Sequence, residues 1–251
     1  GSAVGGAVIV FREGINLVQW LFFQSEPDLL NMAAASLAWW QILLIPSVGG
    51  LLVGLFIYHF MPERRPHGLA DAIEASALRG GRMSGATGLK AAFVSALSIG
   101  AGASVGREGP AVHLGASLGG WLSQRLHLTR SLSRTLLGCG AAAAVSASFN
   151  APLAGALFAN EVVIGHYALR TFAPVVIASV TGTAMSRAYF GAYPAFIIEK
   201  NTIASLWEFP AFFGLGIVGG IVAVMLIRGI GLAGDVSNKV PGPVWLRPAL
   251  A

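Results

Sequence analysis

The sequence predicts an all-α membrane protein, a polytopic bundle that mixes full-length and half-length helices. Three observations predict it. Only 11% of the residues are charged, 55% are hydrophobic and the mean hydropathy is +0.71. A soluble domain carries about 25% charged residues, and that charge keeps its surface wetted; here the outer surface has to face lipid. Apolar stretches recur at the length, roughly 20 residues, that a helix needs to cross a hydrocarbon core of about 30 Å. The 33 glycines would each cost a soluble helix about 1 kcal/mol relative to alanine, but small residues let membrane helices approach closely. No ten-residue block alternates regularly, which argues against a membrane barrel.

The elements follow in order. A first span covers residues 3–23 and is interrupted by Arg12 and Glu13, which either pair or lie on a buried or tilted face. A second, 33–60, holds no Asp, Glu, Lys or Arg; a third, 85–105, holds the single charge Lys90. The fourth, 135–160, has no formal charge and contains Asn150-Ala-Pro152 as a breaker. The fifth and sixth are 171–186 and 209–227. Between them, 69–78 and 110–122 are too short to span. Short helices at membrane depth persist only inside protein or beside an aqueous cavity, and broken helices often build the binding sites of transporters. The opening at Gly1 without a methionine and the stop after Arg247-Pro-Ala-Leu-Ala251 read as a piece of a longer protein.

Composition also excludes function classes. The net charge is +5 and the pI about 9.9, but Arg64, Arg65, Arg79, Arg82, Arg125, Arg130 and Arg134 are scattered between apolar stretches. That pattern suits membrane-surface anchors, not a nucleic-acid face. Trp39, Trp40, Trp121 and Trp207 read as interfacial anchors. Cys139 is the single cysteine, so an internal disulfide or cysteine metal cluster is ruled out and a small packed residue is expected. An intramembrane enzyme would need a nucleophile–base set or a metal cluster. No HExxH occurs, and His67, His113 and His166 lack metal-ligand spacing on one helix. No cofactor is expected.

The chemistry concentrates in Gly106-Arg-Glu-Gly-Pro110. Pro110 suits the first turn of a helix, and Gly109 lets the backbone come close to something small. The unpaired N–H groups of a helix start, with the helix dipole, favour an anion. The Glu108 carboxylate stands at that same position, so it can occupy an anion site and leave when protonated or displaced. The alternative is an Arg107–Glu108 pair acting only as a surface anchor.

Gly106-Arg-Glu-Gly-Pro110 resembles the GREGP motif of the CLC chloride channels and transporters, and Phe149-Asn-Ala-Pro-Leu-Ala-Gly155 is similar to that family's FNAPLAG segment. The pair at this spacing is more specific than either motif alone. The resemblance extends over most of the chain, residues 1–251 being an incomplete CLC-type transmembrane domain: the first half of an inverted-repeat fold and the start of the second. It implies a homodimer in a lipid bilayer, with an anion pathway in each subunit and chloride as the transported ligand. It also implies Glu108 as gate, amides near Gly106, Arg107 and Gly109 facing the anion, and a home in the cell membrane.

Two departures from the family pattern matter. The family's GSGIP segment, whose serine contacts the anion, corresponds to Pro66-His-Gly-Leu-Ala70, so His67, Gly68 and Leu69 are the implied anion contacts. Histidine titrates nearest physiological pH, so His67 either confers pH sensitivity or is a loop residue beside Arg64 and Arg65. The LFxxEE-like stretch of the exchangers corresponds to Leu157-Phe-Ala-Asn-Glu-Val162, with Val162 where the proton-transfer glutamate would stand. Valine carries no proton, which favours passive, channel-like conduction over proton-coupled antiport. Glu161 is either another proton route or a structural carboxylate, and Lys90 either raises the potential along the pathway or snorkels to the interface. His113 either approaches the pathway or is a packed or lipid-headgroup histidine. A non-transporting membrane assembly subunit is the remote alternative.

Overall fold

Each regular element in the computed structural model, which describes residues 1–24, 38–192, 205–239 and 243–250, is helical. The chain divides into two compact units, one of Gly1–Ala195 with Val244–Ala251, the other of Phe196–Pro243. The first begins with α1 (Ser2–Phe23) and α2 (Trp39–Phe60), then the short α3 (Leu69–Ala77). It continues through α4 (Gly85–Gly100), α5 (Glu108–Arg125), α6 (Arg130–Phe149), α7 (Pro152–Phe158) and α8 (Leu169–Phe190). The second unit holds α9 (Glu208–Lys239), and α10 (Arg247–Leu250) returns to the first. Helices α1, α2 and the Glu208–Val236 stretch of α9 are long and apolar enough to cross a membrane.

The expected spans are present with altered ends. Residues 33–37 of the second span lie outside the described residues. The third stops at Gly100 instead of residue 105, because the chain turns through Gly102 at φ 99°, a conformation glycine adopts without steric penalty. The fourth breaks where Asn150-Ala-Pro152 stands: Asn150 caps α6 in the left-handed region at φ 55°, and Pro152 is the first residue of α7. The piece expected at 110–122 is longer, 18 residues from Glu108 to Arg125. Its two charged and several polar ends hide its length from a hydropathy reading.

Helix α6 forms the centre of the first unit; its residues from Leu137 to Ala147 are all buried. Small side chains make this possible. A Cβ on Gly140 would collide with the Gly115 carbonyl, and one on Gly115 with the Gly140 carbonyl, so α5 and α6 touch backbone to backbone. Cys139 is buried among these residues, as expected. On the other side of α6 a hydroxyl chain joins the apolar packing of Val175 and Ala178. Ser146 bonds Ser179 of α8 and the Ala142 carbonyl, Ser179 bonds the Pro152 carbonyl of α7, and Ser186 donates to the Ala147 carbonyl at 2.8 Å. Arg187 of α8 donates to Asn150 Oδ1 at 2.5 Å and so holds the break itself. Arg12 lies over the Phe190 ring, 4.2 Å from its centroid. The chain end packs on α2, where Gly50 and Gly54 face the carbonyls of Pro248 and Trp245. In the second unit, large apolar side chains stand exposed along α9 from Phe209 to Val236, the surface of a helix made to meet lipid or protein. Trp39, Trp40, Trp121 and Trp207 are exposed too.

Candidate anion site

The start of α3 is built around one carboxylate. The chain leaves α2 through a tight turn, Pro62–Arg64, with Glu63 and Arg64 at positive φ, and reaches Gly68 immediately before the helix. Asp71, three residues on, turns back so that its Oδ2 accepts from the Gly68 amide at 2.8 Å, satisfying one of the helix's free donors. Its Oδ1 accepts from Arg65 Nη2 at 2.7 Å and meets His67 Nδ1 at 3.1 Å. Arg65 also donates to Glu63 at 2.7 Å. Burial works to raise the Asp71 pKa, but the bonds from Arg65, Gly68 and His67 overcome it and hold the carboxyl at about 2. Arg65 is held more firmly protonated by Asp71 and Glu63.

His67 reaches a second helix. Its ring stacks on that of His113 in α5, with centroids 6.0 Å apart and planes at 30°. His113 is 1% exposed, and His67 meets Asp71 as well as lying beside two arginines. Both rings, with Asp71, Glu63 and Arg79, line a cavity of about 120 Å³.

Glu108 is the first residue of α5 and Arg107 its cap, so the helix starts two residues before Pro110. Arg107 Nε and Glu108 Oε1 are 3.9 Å apart, and both side chains are 42% exposed. Gly109 has open space where a side chain would be. Five residues separate Glu108 from His113, about 7.5 Å along the helix and about 140° around it. The two therefore serve different faces, and Glu108 is not among the residues lining the histidine cavity.

Three further candidates fall elsewhere. Lys90 donates to the Phe60 carbonyl at 3.1 Å and so caps the C-terminal end of α2. Glu161 and Val162 lie in a π-turn, Ala159–Ile164, that continues α7. Glu161 is exposed and accepts from the Tyr167 hydroxyl at 3.4 Å; Val162 is 36% exposed. Their buried neighbour is Asn160, whose amide donates to the Ala156 carbonyl at 2.8 Å.

Residues 49–251 match the protein family described as voltage gated chloride channel. The chain belongs to the CLC family. A Ralstonia nicotianae relative whose name marks it as a ClcB-like chloride channel protein is 35% identical over 254 residues, covering 100% of this chain and 59% of its own length. A Yersinia pseudotuberculosis protein named voltage-gated ClC-type chloride channel ClcB is 30% identical over 225 residues, 88% of this chain and 54% of its own. The crystal structure of a slow cyanobacterial Cl⁻/H⁺ antiporter has the same fold, with a TM-score of 0.82 at 23% identity over 100% of this chain and 59% of that one. The chain thus spans a little over half the length of the relatives it matches, and it is an integral membrane protein.

Within this CLC chain the two motifs have clear structural meanings. Gly106–Pro110 is the entry into α5, and Phe149–Gly155 is the break between α6 and α7. Asp71 goes unnoticed in the sequence and Arg65 reads there only as a surface arginine, although an acidic residue three positions after Gly68 is a capping signal. The histidines lack metal-ligand spacing on any one helix, yet folding brings His67 and His113 together from α3 and α5. A single-helix spacing rule has no means of seeing that pair.

Proposed function

We propose that the full-length protein moves chloride or a similar small anion across the cell membrane, with the Glu108 carboxylate as its gate. One observation carries the reading: Glu108 is the first residue of α5, half exposed, with glycines on either side of the Arg107–Glu108 pair. A carboxylate there competes with an anion for the same helix-start donors. Gly106, Arg107 and Gly109 supply backbone near that point. The start of α3, with His67, Gly68 and Leu69, supplies the inner contacts. Lys90, bonded at the end of α2, acts on the pathway only through its charge. Two such chains make the working homodimer in the bilayer, and the anion is the ligand.

Passive, channel-like conduction is favoured, because Val162 stands where a proton-transfer glutamate would be needed. Proton-coupled antiport is the second reading, with Glu161 as the acid nearest to hand. The test is reconstitution of the full-length protein into liposomes under a chloride gradient at equal pH. A zero-current potential at the chloride equilibrium value, with no proton movement, supports conduction. A displaced potential with protons driven uphill establishes the antiporter. No chloride flux in either direction leaves the assembly-subunit reading and overturns the proposal.

A further inference from the structure

We propose that His67, Asp71 and His113 form a binding site for a divalent transition metal of the zinc class, which pins the start of α3 to α5. Two imidazoles and one carboxylate offer ligand atoms that lie within 4.8 Å of one another. Bound to tetrahedral zinc at about 2.0–2.2 Å, such atoms would lie about 3.4 Å apart, so the site closes by small side-chain rotations. The pair already nearest, His67 Nδ1 and Asp71 Oδ1, is at 3.1 Å.

Independent of that clustering, His113 is an unexplained group. It is 1% exposed, and its Nδ1 has no hydrogen-bond partner among the described residues. A buried imidazole nitrogen without a partner costs free energy, and a packing role needs no imidazole. The ring lines the cavity that also holds His67 and Asp71, and a metal there gives it a bond. The donor set selects the class of ion. Imidazole suits zinc, copper and nickel, whereas calcium and magnesium call for several oxygen ligands; this site offers one carboxylate. Three protein ligands leave a fourth position open, and the cavity of about 120 Å³ has room for water or an anion in it.

The surroundings are arranged for a regulated site more than a permanent one. Asp71 Oδ2 stays on the Gly68 amide and keeps the carboxylate oriented, as outer-shell bonds do in metal sites. Arg65 competes for Oδ1, but it is 42% exposed on its side chain and has Glu63 as a second partner. It can therefore yield its place without losing its own ion pair.

The experiment uses the full-length protein, purified in detergent, freed of any affinity tag and stripped with chelator. Zinc chloride is titrated into it calorimetrically, which reads binding without reference to transport. The expected result is a zinc site weakened about 10–100-fold by His113→Gln and by His67→Ser, and strengthened by Arg65→Gln. Size-exclusion profiles matching the unsubstituted protein qualify each variant, and either histidine variant alone suffices. Absence of zinc binding, equal affinity in the parent and the histidine variants, or magnesium binding as tightly as zinc would each overturn the proposal.

Discussion

Gly115 of α5 and Gly140 of α6 lie so close that a Cβ on either would strike the other's carbonyl group. This crossing fixes how α5, and with it Glu108 and His113, is set against the central helix. Gly140→Ala brings the helix a propensity gain of about 1 kcal/mol against an overpacking cost of about 1–3 kcal/mol. Gly140→Leu adds far more volume with less gain. The expected order of thermal stability in detergent is parent, then Gly140→Ala, then Gly140→Leu; an unchanged melting temperature for Gly140→Leu contradicts the crossing.

Asn150 holds a left-handed conformation at φ 55° and accepts from Arg187. Asn150→Val puts a β-branched residue where left-handed geometry costs roughly 1–2 kcal/mol, and it removes the bond. Asn150→Gly removes the bond but fits the backbone, and a membrane hydrogen bond averages about 0.6 kcal/mol. Thermal or denaturant unfolding should show Asn150→Val clearly below Asn150→Gly. Equal losses would mean the bond matters and the backbone does not.

Glu108→Ala and Glu108→Gln both remove a charged carboxylate from the start of α5. Chloride flux from liposomes should rise several-fold at neutral pH in both. Flux that falls to background in both, with the protein still folded, would place Glu108 in binding instead of gating.

Val162 is 36% exposed, so a glutamate there fits without entering the packed core. Val162→Glu restores the acidic position of the exchanger pattern. The zero-current potential should move away from the chloride equilibrium value as protons begin to couple. A potential that stays at the parent's value means that residue 162 is not the missing link.

The chain spans a little over half the length of the relatives it matches, so residues 1–251 are expected to hold only part of the pathway that the proposed function requires. Robust chloride flux from this stretch alone, purified and reconstituted, is not expected, and observing it would show that the first half is sufficient.

Much of this protein is legible in the order of its residues. The helix class and its lipid-facing surface follow from scarce charge and long apolar runs, because neither depends on what packs against what. The break after Phe149 is equally local, since asparagine tolerates left-handed backbone and Pro152 lacks an N–H. The entry into α5 is marked by its own glycines and charges. Hydropathy misplaced the ends of α4 and α5, because helix ends are set by caps and turns such as Gly102 and not by apolarity. What the tertiary structure alone decided are the meetings of residues far apart in the chain: His67 with His113, Gly115 with Gly140, Asn150 with Arg187, Arg12 with Phe190. Each depends on which faces of two helices turn toward one another, and that is determined by the packing of the whole unit, which no local spacing encodes.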